Sequence, residues 1–113
     1  MKIIRTTQTK KVVNSRYCTA IEYPLDDKDI NGAKIILKGR FPDTGWTVNL
    51  ICKEIAYILK GSGKLVVEGK EYLVSKGDMA FIEPKEKFYW EGNMEIFMPC
   101  APAWYPEQHK AIE

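Results

Sequence analysis

The stretch NLICKEIAYILKGSG, residues 49–63, sets a lone carboxylate, Glu54, at the head of an apolar run from Ile55 to Leu59. The run is rich in isoleucine and too short to sustain a helical stripe for three turns, which makes it a buried strand. A carboxylate beside such a strand is costly unless something pairs with it or a ligand needs it. Two readings follow. Glu54 is a structural group tied to a nearby base such as Lys38 or Arg40, or it points into a pocket.

Outward from this run, short strand patterns alternate with Gly, Pro and Asp turns. Upstream, Ile3 to Thr6 and Lys11 to Val13 read as an edge strand, and Tyr17 to Tyr23 as a second, ended by Pro24. The loop from Leu25 closes on the turn signal Asn31-Gly32, and Ala33 to Gly39 forms the next strand. Trp46 to Lys53 and Glu54 to Lys60 make a long strand region with a bend, which Gly61-Ser62-Gly63 turns. Lys64 to Glu68 and Tyr72 to Val74 flank a hairpin at Gly69-Lys70. Met79 to Ile82 is a strand that Pro84 ends. Phe88 to Trp90 and Met94 to Met98 follow, separated by a turn at Glu91-Gly92-Asn93. The expected fold is all-β, a barrel or sandwich of about eight to ten short antiparallel strands.

The 113 residues show no break in composition, so one domain over residues 1–113 is expected. Its core would span about residues 35–98, with N-terminal strands within 3–23 and a tail, 99–113, packed on the barrel. A net charge of +2 without a basic, aromatic-interleaved stripe argues against nucleic acid. No apolar run is long enough to span a membrane as a helix. The opening MKIIRTTQTKK turns polar after two isoleucines and does not read as a signal segment. Cys18, Cys52 and Cys100 lie far apart, so reduced, mostly buried thiols and a cytoplasmic setting are expected. A single histidine, His109, rules out multi-histidine zinc and iron sites.

The order and spacing of two segments are more informative. GRFPDTGWTVNLICKEIAYILKG, residues 39–61, and GDMAFIEPKEKFYW, residues 77–90, resemble the two motifs of the cupin family. Glu54 and Gly61 keep the first motif's final spacing, and Thr47 and Asn49 stand where a histidine pair would stand. Gly77-Asp78, Phe81-Ile82 and Pro84 match the second motif, with Phe88 at its histidine and Lys85 in place of its glycine. The resemblance covers about Ile35 to Met98 and implies a small jelly-roll barrel. Of the implied metal positions, Thr47, Asn49, Glu54 and Phe88, only Glu54 would bind a cation strongly. No metal and no other cofactor is therefore expected.

In the cupin orientation, strand alternation would turn Glu54 inward with Ala56 and Ile58. Thr47 and Asn49 would share that interior, and Phe88 and Trp90 would form aromatic walls. Such a cup suits a small organic ligand, carbohydrate or aromatic. The tail residues Trp104, Tyr105 and His109 would either cover the cup or seal another edge. The first expectation is a small-molecule-binding protein, with Thr47, Asn49, Phe88, Trp90, Trp104 and Tyr105 as its contacts. The alternatives are a metal-independent isomerase, epimerase or lyase, with Glu54 as base and His109 or Tyr105 as acid, and a metal-dependent cupin enzyme. Whether the chain is an enzyme stays open at this point. Apolar residues at consecutive positions of Ile55 to Leu59 imply burial on both faces, one against a second sheet or subunit, hence a homodimer.

Overall fold

The computed structural model describes residues 1–113, Met1 to Glu113. Nine strands form its framework: β1 (Lys10–Ser15), β2 (Cys18–Glu22), β3 (Asn31–Phe41), β4 (Trp46–Asn49), β5 (Lys53–Val67), β6 (Lys70–Ser75), β7 (Met79–Ile82), β8 (Phe88–Ala101) and β9 (His109–Ile112). Two short 3₁₀ turns, Thr6–Gln8 and Pro106–Gln108, complete it. All pairings are antiparallel. The arrangement is an all-β jelly-roll half-barrel. No helix is long and apolar enough to cross a membrane.

The long strand β8 is the spine. It pairs with β3 along one side and β5 along the other, and touches β4 through Thr47 opposite Phe88. Its sequence alternates strictly about that role. Phe88, Trp90, Met94, Ile96, Met98 and Cys100 are buried, with Gly92 in the same period, while the alternate residues are half-buried or exposed. In β5, Glu54, Ala56 and Ile58 point inward by the same period of two. Ala56, Ile58, Phe88, Trp90, Met94, Ile96 and Met98 make one contiguous core with Leu37 and Ile82.

Three glycines line up across this framework, Gly39 of β3 opposite Gly92 of β8, and Gly92 opposite Gly63 of β5. Gly39 and Gly92 share a φ of 147°, outside the range that side chains tolerate. A Cβ on Gly92 would lie 2.6 Å from the Gly63 Cα and 2.7 Å from the Ser62 carbonyl oxygen. The row lets the strands approach closely. Gly92→Ala is expected to cost about 1–3 kcal/mol through overpacking and backbone strain. Chemical denaturation measures it, and unchanged stability would show the close approach to be dispensable.

Several boundaries differ from the sequence reading. Gly61-Ser62-Gly63 and Glu91-Gly92-Asn93 do not turn the chain; they lie inside β5 and β8, where glycine does not end the strand. Asn31-Gly32 opens β3 and is no turn, because Asn31 is held by the tail. Residues 3–5 form no strand, and the N-terminal edge is β1 alone. The outer side of Ile55 to Leu59 is uncovered within the chain, so Ile55, Tyr57 and Leu59 are partly exposed. The tail does pack on the body. Its strand β9, which went unforeseen, pairs with β4 over all four residues.

Candidate functional site

The two tail-side strands carry the first group of polar side chains inward. Asn49 of β4 and His109 of β9 are directly opposite in register, which brings their side chains together on one face. Thr47 sits two residues back on the same face. On the other side, Glu54 of β5 stands opposite Cys100 of β8. The β4–β5 link between these groups is pinned by buried Gln108, whose Oε1 accepts from the Cys52 amide at 2.7 Å and the Ile51 amide at 3.1 Å.

These residues form one hydrogen-bonded chain. Asn49 Nδ2 donates to Glu54 Oε1, and the Cys100 thiol donates to Glu54 Oε2 at 3.3 Å. Asn49 Oδ1 accepts from Trp104 Nε1 at 2.9 Å. That indole donor and the carboxylate acceptor together fix which way the Asn49 amide points. His109 Nδ1, 3.1 Å from the same Oδ1, must therefore carry a proton and donate. Burial lowers the His109 pKa, which favours the neutral ring, and its Nε2 lies 2.6 Å from the Thr47 hydroxyl, which also reaches the Lys110 carbonyl at 3.2 Å. Trp104 is held in turn by Asn31, whose side chain bonds its backbone at both ends, at 2.9 and 3.1 Å.

Glu54 is the exceptional group. It is 7 % exposed and belongs to none of the ion pairs of the chain. Lys38 and Arg40 do not reach it; the Arg40 guanidinium bonds the Pro42 and Gly45 carbonyls at 2.7 and 2.9 Å. Burial raises the Glu54 pKa, opposed in part by the bonds from Cys100 and Asn49. Cys100 is itself raised by its contact with Cys52, by burial and by the adjacent carboxylate, which keeps it a thiol and a donor. All three cysteines are free and buried.

A carboxyl raised in the folded state stays protonated at pH values where the unfolded chain has already lost its proton. The folded state then binds more protons, so stability contributed by Glu54 is complete below the unfolded pKa and falls as pH rises through the folded one. Glu54→Gln should remove this loss. The variant is expected to match the parent in acid and exceed it by about 0.5–2 kcal/mol in mild alkali. Equal stabilities across that range, measured by urea unfolding, would mean that the carboxyl carries no such penalty.

Glu54 opens onto a cavity of about 830 Å³, within the range of small-molecule sites. Phe88 and Trp90 are buried in its wall, Asn49, Trp104 and His109 border it, and Tyr105 stands exposed at its mouth. Thr47 does not line the cavity and acts on it only through His109. Sequence reasoning missed Cys100, although its place in the inward period of β8 would have found it. It also missed Phe41 and the β2–β3 loop, residues 23–30, of which residues 23–28 line the mouth. That loop is joined to the tail by the Ala103 amide and the Lys28 carbonyl at 3.0 Å.

The all-β half-barrel around this cavity has a cupin-like fold. The Cupin domain family model matches residues 52–97, and no curated protein matches the chain in sequence. Among solved structures, it is similar to a variant of Streptomyces PAC13 with uridine, at TM-score 0.90 and 13 % identity over 100 % of this chain and 92 % of that one. Pac13 is described as a unique nucleoside dehydratase. Ectoine synthase from P. lautus superposes at TM-score 0.76 and 18 % identity over 100 % and 91 % of the two chains. KdgF from Halomonas sp. does so at 0.74 and 12 % over 90 % and 94 %. At these identities the likeness concerns the fold.

The residues at the cupin metal positions do not fit a transition metal. Phe88 offers no donor atom, while Thr47 and Asn49 are engaged by His109, Trp104 and Glu54. No three His, Cys, Asp or Glu side chains converge to hold an ion.

Proposed function

We propose that the protein is a metal-independent enzyme of the isomerase, epimerase or lyase kind, which binds a small organic molecule in the cavity and moves a proton on it with Glu54. The observation that carries this reading is the burial of Glu54 at the cavity without a cationic partner. Burial raises its pKa above the ordinary carboxyl value, which makes the ionised carboxyl a stronger base that still returns the proton. The activities named for two structural neighbours, a dehydratase and a synthase, lend this support. Plain binding without turnover is the less favoured reading, because the neighbours named by activity are enzymes.

In the proposed step an ionised Glu54 oxygen takes a proton from a carbon next to an electron-withdrawing group, and the bonding electrons stay on the substrate. The protonated carboxyl then returns the proton to a neighbouring carbon, giving an isomer, or to a departing oxygen, giving an elimination. Asn49 steadies the carboxylate through Oε1 and Cys100 through Oε2. His109 has both ring nitrogens engaged and acts first as a positioning residue for Asn49. Acid–base work by His109 would require one of those bonds to open, and Tyr105 at the mouth is the alternative acid. Phe88, Trp90 and Trp104 hold the substrate by its apolar surface. The test is proton–deuterium exchange at carbon, followed by NMR over a panel of small hydroxycarbonyl and aminoacyl compounds. Exchange that depends on Glu54 is expected; no exchange with any of them would overturn the reading.

The same proposal includes a homodimer, with the second copy on the outer face formed by Ile55, Tyr57, Met79, Phe81 and Phe97. Three free cysteines fit the cytoplasm as the working compartment.

A further inference from the structure

The ionisable residues around the cavity are unevenly placed. Glu22, Asp26, Asp27 and Glu54 line it with Lys10, Lys28 and His109, and Lys2 Nζ donates to the Leu25 carbonyl beside Asp26, so the acidic excess lies in the wall and at the deep end. Lys10 and Lys28 are exposed, as are Asp26 and Asp27, while Glu22 is half-buried in the wall and Glu54 is buried at its deep end. The deep end therefore has a carboxyl and no cation. The groups that contact that carboxyl, Asn49 and Cys100, are neutral donors. A ligand carboxylate or phosphate placed there would meet Glu54 with nothing to offset the repulsion.

The walls complete the pattern. Phe41, Phe88, Trp90 and Trp104 line the cavity, and aromatic faces attract cations through the ring quadrupole, most strongly where water is excluded. A buried carboxyl without a counter-ion, a half-buried Glu22 in the wall and aromatic walls share one complementary partner. We infer that the cavity takes a small organic cation, an ammonium group seated between Glu54 and the aromatic walls with its polar remainder toward the mouth. This rests on the cavity assigned in the proton-transfer reading and names the substrate class for it.

Binding of choline and of its uncharged isostere 3,3-dimethyl-1-butanol, followed through the indole N–H resonances of the tryptophans, separates charge from shape. Choline is expected to bind at least about tenfold more tightly. Glu54→Gln should bring the two within about threefold of each other, and Glu22→Gln, away from the hydrogen-bonded chain, should lessen the preference without abolishing it. Equal affinities, tighter binding of the alcohol, no binding of either, or a preference untouched by Glu54→Gln would each overturn the inference. If the preference fails while Glu54-dependent exchange at carbon persists, the proton-transfer reading stands and only the substrate class falls. Preference for choline with no exchange on any compound leaves the cation site and removes the chemistry.

Discussion

Glu54→Gln is expected to lower turnover by about 10²–10⁴-fold, the usual contribution of a positioned acid–base group. The substitution keeps length, shape and one acceptor oxygen for Asn49 Nδ2, so the chain through Trp104 and His109 has no reason to collapse. What disappears is the group that exchanges a proton with the cavity. The loss should therefore fall on kcat more than on KM for an uncharged substrate, and on both for a cationic one. Because burial raises the pKa of Glu54, the parent's kcat/KM should climb with pH through that raised value, as the carboxyl becomes ionised. The residual activity of the variant should lose that limb. A variant that is folded yet within about threefold of the parent on a verified substrate would remove Glu54 from the chemistry.

Much of the frame was legible because two signals agreed. The spacing from Glu54 to Gly61 and the apolar strand Met79 to Ile82 marked the cupin pattern, and strand period placed Glu54, Ala56 and Ile58 on one face. Glycine was the main source of error. At Gly63 and Gly92 it serves a close crossing of strands, and nothing local distinguishes that from a turn; the difference lies in Gly39, Gly63 and Gly92 meeting across three strands. Strand β9 was illegible for a related reason. His109 to Ile112 is short and polar, and becomes a strand only because β4 offers it an edge. The hydrogen-bonded chain depends on that pairing, so Thr47, Asn49, Glu54 and His109 could be suspected individually while their connection through one amide could not.

Charging the outer face is expected to break the proposed dimer. Ile55 of β5 lies opposite Phe81 of β7, and Tyr57 opposite both Met79 of β7 and Phe97 of β8. These side chains form one contiguous apolar surface, with Met79 and Phe81 67 % and 58 % exposed in the single chain. Near it, Glu95 pairs with Lys34 at 3.1 Å and approaches Lys60 at 4.0 Å. An apolar centre beside a charged margin fits the proposed subunit interface. A two-fold arrangement makes one self-complementary patch sufficient. Met79→Glu with Phe81→Glu would place like charges across the two-fold, at positions the isolated fold already leaves in water. Weakening by more than about 10²-fold is expected, with the fold retained, since each desolvated and unpaired charge costs several kcal/mol. Sedimentation equilibrium of parent and variant decides it. A parent that sediments as a monomer, or a doubly substituted chain that dimerises as tightly as the parent, would show that this face meets something other than its own copy.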